Sequence, residues 1–181
     1  MPRYAAFLRA VNLGSKRKAS SADLCVAFEE MGFEGVATFR TSGNVVFEGP
    51  KESAAALTTQ VEKGLKKALG FEIPVFLRTT AQIRAIAAHE PFPPKVVKAS
   101  EGKLQVALVS KRLAVKAAAD LLALATDEDR LAIRGTELYW LPSGGIRDSK
   151  LNMKAIDRAV GAATMRTKGT IDLIAEKFFT A

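Results

Sequence analysis

Apolar residues recur along the chain in short runs typical of β-strands and in stripes typical of amphipathic helices. Residues 4–11 form an apolar run that predicts a central strand. Leu24, Phe28 and Met31 follow at helical spacing and predict the first helix, with Gly32 at its C-terminal cap. The chain therefore begins with a strand and a helix that share an apolar interior.

A β-hairpin and a second helix are predicted next. The β-rich runs 36–40 and 44–48 flank Thr41-Ser42-Gly43, a turn in which Gly43 is expected to take a positive φ. A long amphipathic helix, a strand at 73–78 and a short helix that must stop before Pro91 complete the segment. The resulting order is β-α-β-β-α-β plus one helix, the split βαβ or ferredoxin-like arrangement.

The same order is predicted to repeat after a proline-rich stretch, with elements at 103–110, 115–124, 131–134, 138–141, 151–160, 163–167 and in the last segment. Residues 77–88 also align with 165–176, which pairs Arg78 with Arg166, and Arg40 aligns with Arg134. Common strand-to-helix sequence is the alternative explanation of these short matches.

We therefore predict an α+β protein made of two tandem ferredoxin-like subdomains. Their expected bounds are residues 1–92 and 103–181, with a linker at 93–102.

The charge balance favours an anionic partner. The 181 residues include 27 Lys and Arg against 19 Asp and Glu, a formal net charge of +8. Nucleic acid, a nucleotide or a phosphorylated metabolite would suit this charge. A basic surface that only keeps the protein soluble is the alternative, because the cations are scattered along the chain.

The cysteine content and the hydropathy pattern indicate a cytoplasmic protein. A single cysteine, Cys25, leaves no intramolecular disulfide and fits a reducing compartment. No apolar run approaches the length of a membrane span, and the N-terminus lacks a signal-peptide pattern. No membrane partner is expected, and the oligomeric state is left open.

Few residues suit metal or nucleophilic catalysis. With His89 as its single histidine the chain is poor in zinc ligands, and the acidic run 127–129 is expected to be a solvated turn. His89 itself ends a predicted helix, where a cationic ring suits the helix dipole. Neither a Walker loop nor a dinucleotide-binding glycine motif is present, so no metal and no cofactor are expected.

Polar residues at the ends of the apolar strands are the candidate ligand-binding groups. Arginine forks and amide donors are the groups that hold anions, and a loop that precedes a helix can add backbone donors. We expect most of them to converge on a cleft between the two halves. For Ser42 to Asn44 turn chemistry is the alternative, and for Ser149 it is helix capping. The candidates are Arg9, Asn12, Gly14, Lys18, Arg40, Ser42, Gly43, Asn44, Arg78, Ser149, Lys150 and Arg166.

Several segments together resemble a known family. Residues 9–14 (RAVNLG) are similar to its RGINVGG-type opening, and Lys18 stands where that family has a recurrent lysine. Residues 39–47 (FRTSGNVVF) resemble its YIQSGNVVF-type hairpin, and 149–151 and 166–170 resemble its SKL and TRNWNT-type segments. The chain thus resembles, over essentially its whole length, the bacterial domain of unknown function 1697 family.

The resemblance implies a cytoplasmic α+β protein of two ferredoxin-like halves, with no established activity to transfer. The sequence departs from the family pattern at a few positions. Ala10 and Ser15 replace glycines, and Thr167-Lys168-Gly169 replaces an Asn-Trp-Asn segment. These changes remove glycines from the loop, and an aromatic and two amides from the C-terminal segment.

Three functions follow from this pattern. The first is an anion-binding module for a nucleotide-like ligand or a nucleic-acid backbone. The second is an enzyme for a small phosphorylated or carboxylated substrate, with Ser42 or Lys18 in the chemistry. The third is a structural or protein-interaction role, which an exposed apolar patch that includes Trp140 would support.

Overall fold

A computed structural model of the chain describes residues 1–11, 16–40, 43–149, 151 and 153–180. These residues form eight β-strands and seven α-helices. The strands are β1 (Arg3–Leu8), β2 (Glu34–Thr38), β3 (Asn44–Glu48), β4 (Val75–Thr79), β5 (Gln105–Val109), β6 (Asp129–Arg134), β7 (Glu137–Pro142) and β8 (Ala163–Thr167). The helices are α1 (Ser21–Glu30), α2 (Ala54–Leu69), α3 (Thr80–Ala88), α4 (Pro94–Ala99), α5 (Val115–Leu122), α6 (Met153–Val160) and α7 (Lys168–Phe178).

The strands form two four-stranded antiparallel sheets with matching order. The first is β2-β3-β1-β4 and the second is β6-β7-β5-β8. Ala5 lies opposite Arg78 in the first sheet, as Val106 lies opposite Arg166 in the second. The α+β class predicted from the sequence is confirmed, and the arrangement is consistent with two similar halves.

The chain divides into two compact units, residues 1–85 together with 174–181, and residues 86–173. Two backbone carbonyls near the C-terminus accept hydrogen bonds from arginine side chains of the first unit. Arg3 Nη1 donates to the Phe178 carbonyl at 2.7 Å, and Arg84 Nε donates to that of Phe179 at 2.7 Å. Part of the expected linker is helical, since it contains α4. The predicted bounds at 1–92 and 103–181 stay a prediction.

The first unit packs α1 and α2 on one face of its sheet. Alternate residues of β1, β3 and β4 point into this core together with Leu57, Val61 and Leu65 of α2. The rings of Phe33 and Phe47 lie 4.6 Å apart between their centroids. Full burial of each such side chain contributes about 1.5–3 kcal/mol. This core fixes the positions of the end of β1 and of the loop between β2 and β3.

The opposite face of the same sheet is buried as well. Ala5, Phe7, Val46 and Phe76 lie on it, and each is nearly inaccessible to solvent. The strands therefore have apolar side chains in both directions, as their continuous apolar sequences indicate. Arg78 belongs to this second face, so its side chain enters an apolar environment.

The second unit is built around Trp140. This ring is completely buried among Ala107, Leu138, Leu121 and Ile156. The neighbouring Tyr139 is also buried, on the other face of β7. Neighbouring residues of a strand point to opposite faces of its sheet, and both side chains are buried because both faces of the second sheet are covered. Trp140 consequently contributes to no exposed apolar patch.

None of the helices in the described part of the chain combines the length and the apolar composition needed to cross a lipid bilayer.

Candidate functional site

The end of β1 and the β2–β3 hairpin lie directly against each other. The Leu8 backbone N–H donates to the Gly43 carbonyl at 2.8 Å. Gly43 has φ +71°, and a Cβ at this position would lie 3.1 Å from Leu8 Cβ and 3.7 Å from Val11 Cβ. The positive φ predicted for Gly43 is confirmed, and the close approach to Leu8 gives a second reason for glycine there.

Backbone strain is concentrated in these same two loops. Among the described residues, the non-glycine positions with positive φ are Ala10 at 60° and Arg40 at 58°. A left-handed conformation costs an ordinary residue about 1–2 kcal/mol. Strain of this kind persists where the surrounding structure imposes it, often at functional sites. The two strained residues therefore indicate that a functional site lies at this end of the first sheet.

A pocket of about 340 Å³ opens at this end of the sheet. Its polar lining includes Lys18 and Arg40, and its apolar lining includes Ala19 and Leu24. Gly43 forms part of the wall. Three of the candidates predicted from sequence, Lys18, Arg40 and Gly43, are thus brought together in one cavity of a size that suits a small ligand.

The charge of this lining distinguishes the pocket from others on the protein. The described residues that line it include a lysine and an arginine and no carboxylate. Three other pockets have both cations and carboxylates in their linings. The carboxylates are Glu62 and Glu72 in one pocket, Glu52 in the second, and Asp127 and Glu128 in the third. A lining with cations alone has the electrostatics that an anion requires. We call it the Lys18–Arg40 pocket.

The start of α1 borders this pocket but is already capped. Ser20 Oγ accepts from the Asp23 N–H at 3.0 Å, and the Ser20 N–H donates to Asp23 Oδ2 at 2.8 Å. The hydrogen bond from Ser20 Oγ, and then that from the Ser20 N–H, hold the pKa of Asp23 below its usual value. This capping box satisfies the N–H groups of Ser20 and Asp23 and places a carboxylate at the start of α1, so an anion in the pocket depends mainly on side-chain cations.

The Arg40 side chain, which lines the pocket, also contacts an aromatic ring. Its guanidinium carbon lies 5.4 Å from the centroid of Phe39, within cation–π range. The ring of Phe39 also meets Phe178 edge to face, with centroids 6.2 Å apart. A guanidinium restrained in this way loses less conformational entropy when it binds a ligand.

Two further candidates of the first unit have structural contacts. Asn44 is buried, and its Nδ2 donates to the Phe39 carbonyl at 2.9 Å, which closes the hairpin. The backbone N–H of Arg9 donates to the Pro74 carbonyl at 2.9 Å. The turn interpretation therefore accounts for Asn44, whereas Arg9 remains next to the strained loop at Ala10.

Arg78 and Arg166 occupy equivalent buried positions in the two sheets. Each donates from Nη1 at 2.8 Å to the carbonyl of the residue before it, and Arg166 Nη1 also donates to Thr164 Oγ1 at 2.9 Å. Burial lowers the pKa of Arg166 to about 10. The pairing of these arginines agrees with the sequence alignment. Arg78 lies in the first unit and Arg166 in the second, and a cleft lined by both arginines stays a prediction.

The alignment of Arg40 with Arg134 is wrong by one position. The Phe39 N–H donates to the Asn44 carbonyl at 3.0 Å, so Phe39 lies opposite Asn44 as Arg134 lies opposite Glu137. Arg40 then corresponds to Gly135, and both have positive φ. Sequence alignment alone missed this because the first hairpin loop is longer than the second.

Ser149 belongs to a buried polar cluster in the second unit. Its Oγ donates to Asp129 Oδ2 at 2.6 Å and accepts from the Leu151 N–H at 2.9 Å. Trp140 Nε1 donates to Asp129 Oδ1 at 2.7 Å. Asp129 is 6% exposed, so the expected solvated turn is wrong for this residue. A buried tryptophan needs an acceptor for its N–H, which is the signal that could have identified Asp129.

The expected cationic ring of His89 is also contradicted. Burial, with smaller contributions from nearby Arg134 and Lys168, lowers the pKa of His89. The ring packs edge to face on Tyr139, with centroids 4.9 Å apart. The neutral imidazole is therefore favoured, because burial and the positive neighbours both disfavour the charged ring.

Comparison with known proteins identifies the family. The model of the family described as "Protein of unknown function (DUF1697)" matches residues 1–139. The chain belongs to this family. The resemblance found in the sequence is thereby confirmed. No curated protein matches this DUF1697 chain.

A solved structure is similar to this DUF1697 protein over its whole length. It is that of the conserved bacterial protein SP0830 from Streptococcus pneumoniae, with a TM-score of 0.78 and 20% sequence identity. The match covers 99% of each chain. At this level of identity the likeness shows the fold alone.

Four of the candidates, Asn12, Gly14, Ser42 and Lys150, lie outside the described residues of this DUF1697 protein. Within the described ranges, no three His, Cys, Asp or Glu side chains are placed to hold a metal ion together.

Proposed function

We propose that this DUF1697 protein is an anion-binding module and that the Lys18–Arg40 pocket holds the anion. One observation carries the proposal: the described lining has two cations and no carboxylate, whereas three other pockets mix both charges. The strained backbone of Arg40 supports it further, since a strained residue is commonly retained for function.

The two cations have complementary roles in this proposal. The Arg40 guanidinium presents a planar fork that binds two oxygens of a phosphate or carboxylate at once. Lys18 supplies a compact charge on a flexible stem. Ala19 and Leu24 give the pocket an apolar wall, which lowers the local dielectric and strengthens both contacts. The net charge of +8 would steer anions toward the protein.

We also propose that each half is a ferredoxin-like subdomain. The β-α-β-β-α-β element order and the matching orders of the two sheets support this finer description. A cytoplasmic location is supported by the single cysteine, which fits a reducing compartment.

Calorimetric titration with inorganic phosphate and with pyrophosphate tests the anion site. We expect Lys18→Gln and Arg40→Gly each to weaken binding about tenfold, because each removes a charge-assisted hydrogen bond. Lys67→Gln is the matched control, since Lys67 is an exposed residue of α2 and its loss changes the net charge equally. Equal affinity in the wild type and the two pocket variants would refute the proposal, as would an equal loss in Lys67→Gln.

Urea denaturation separates lost binding from lost folding. Glycine adopts φ near +58° without strain, so Arg40→Gly should raise the free energy of unfolding by roughly 0.5–1 kcal/mol. A variant that binds phosphate more weakly while it is at least as stable as the wild type has lost a ligand contact and not its fold.

A further inference from the structure

An aromatic pair lies next to the Lys18–Arg40 pocket in the first unit. Phe39 and Phe178 meet edge to face at 88°, with their centroids 6.2 Å apart. Both side chains are only half-buried. Aromatic rings of the hydrophobic core, such as Phe28 and Phe47, are fully covered in contrast. The pair therefore keeps part of its apolar surface in contact with solvent.

Cations surround this aromatic pair. Lys177 Nζ lies 5.9 Å from the Phe39 centroid and 5.1 Å from the Phe178 centroid. The Arg40 guanidinium lies over Phe39 at 5.4 Å. We call these four residues the aromatic–cationic cluster. Arg40 belongs to both the cluster and the Lys18–Arg40 pocket, so the two features form one continuous surface.

The combination of residues indicates what the anion carries. A simple anion such as phosphate is satisfied by Lys18 and Arg40, and it gains nothing from Phe39 and Phe178. Nucleobases stack on exposed aromatic rings and on guanidinium planes, and interleaved cations hold the adjoining phosphates. The carboxylates of an acidic peptide would use the cations alone, whereas every nucleotide carries both a phosphate and a flat ring that can lie on the aromatic pair.

We propose that the ligand is a nucleotide unit, with its phosphate between Lys18 and Arg40 and its base against the aromatic–cationic cluster. This inference rests on the proposed anion site and adds the chemical class of its ligand. A free nucleotide and a single strand of nucleic acid share this chemistry. Arg40 is the residue that links the two parts, since it contacts the phosphate in the pocket and lies over Phe39.

The test compares ligands that differ only in the base. Adenosine 5′-monophosphate and ribose 5-phosphate carry the same phosphate and the same sugar. We expect the wild type to bind the nucleotide about tenfold more tightly, the usual contribution of one stacked base. Equal affinities for the two ligands would overturn the inference.

Phe39→Leu and Phe178→Leu should each reduce this preference to about twofold or less, because leucine keeps apolar volume but cannot stack a base. Phe178→Leu should leave the binding of ribose 5-phosphate as before, whereas Phe39→Leu should also weaken it slightly, because the Phe39 ring restrains Arg40. Phe92→Leu is the control, since Phe92 is a half-buried phenylalanine of the second unit. If Phe39→Leu weakens both ligands equally, the ring only positions Arg40 and the inference is wrong.

Two further titrations distinguish the sources of the nucleotide and the two levels of the proposal. An oligouridylate of about ten nucleotides that binds more tightly than uridine 5′-monophosphate, with a steep salt dependence, identifies a single strand. Equal affinity for the two identifies a free nucleotide. If pyrophosphate and ribose 5-phosphate bind but the base adds nothing, the anion site stands and the nucleotide inference fails. If none of these ligands binds, the anion site fails as well.

Discussion

The two hairpins of the protein place different residue types at the same left-handed backbone position. In each sheet, the strand that leads into the hairpin is followed by a residue in the left-handed conformation, Arg40 in the first and Gly135 in the second. In each, the central strand bonds to the hairpin loop, from the Leu8 N–H to the Gly43 carbonyl at 2.8 Å and from the Val109 N–H to the Thr136 carbonyl at 3.0 Å.

The difference between the hairpins separates a strained loop from a relaxed one. The second hairpin turns through Gly135 and Thr136 alone, and glycine takes the positive φ without cost. The first uses the longer loop 40–43 and places an arginine in that conformation. The strained arginine lines the Lys18–Arg40 pocket, whereas polar side chains of the second unit, such as Asp129 and Ser149, bond to one another. A repeated scaffold therefore carries its candidate site in one half.

The largest expected effect comes from Asp129→Ala in the second unit. The change leaves the Trp140 N–H and the Ser149 hydroxyl without their acceptor, and the Trp140 N–H lies in the core. We expect the free energy of unfolding to fall by about 3 kcal/mol, measured by urea denaturation. Asp129→Asn should lose less, because an amide oxygen still accepts one of the two bonds.

Lys18→Gln is the matched change in the first unit, and it should alter stability by less than about 0.5 kcal/mol because Lys18 is exposed. Similar losses from Asp129→Ala and Lys18→Gln would break the proposed contrast between polar residues that stabilise the fold and polar residues kept for a ligand.

A smaller effect distinguishes the two turn glycines. Both have positive φ, so replacement by alanine costs about 1–2 kcal/mol at either position. At Gly43 the new Cβ would also lie 3.1 Å from Leu8 Cβ, whereas at Gly135 it would meet only the Glu137 carboxylate at 3.5 Å. We therefore expect Gly43→Ala to lose about 1 kcal/mol more than Gly135→Ala in urea denaturation. Equal losses would mean that the first loop moves away from β1 without cost.

The smallest effect is a pH dependence confined to the second unit, which contains the single histidine. The folded state lowers the pKa of His89, so below the ordinary value of 6.5 the unfolded chain binds more protons than the folded one. Stability from the neutral ring is complete above that value and decreases as the pH falls through the lower pKa of the folded state.

Urea midpoints measured between about pH 5 and 8 should therefore fall toward acid in the wild type. The His89→Gln variant should show a flatter profile over the same range. A steeper acid loss in the variant would contradict the direction of the pKa change.

The order of strands and helices could be predicted because it depends on local periodicity and on glycine positions. The positive φ of Gly43 and the equivalence of Arg78 with Arg166 follow from such local patterns. The burial of Asp129 could not be predicted in this way. It depends on the register of β6 and β7, which places the carboxylate beside an indole eleven positions away.

The candidate site was predictable only in part, because residue type does not reveal where a side chain points. Lys18, Arg40 and Gly43, which were candidates from the sequence, line the same pocket. Asn44 and Ser149 are polar for structural reasons, since their hydrogen bonds close a hairpin and a loop. Arg78 is buried in its sheet, and sequence alone gives no sign of this.

The division of the chain has a consequence for the order in which the protein is made. Residues 174–181 belong to the first unit, where Arg3 and Arg84 bond to the carbonyls of Phe178 and Phe179. A ribosome synthesises the chain from its N-terminus, so every residue of the second unit is made before the final segment of the first. The unit that is translated first is therefore the last to have all of its residues, and until then the ring of Phe39 has no Phe178 to pack against.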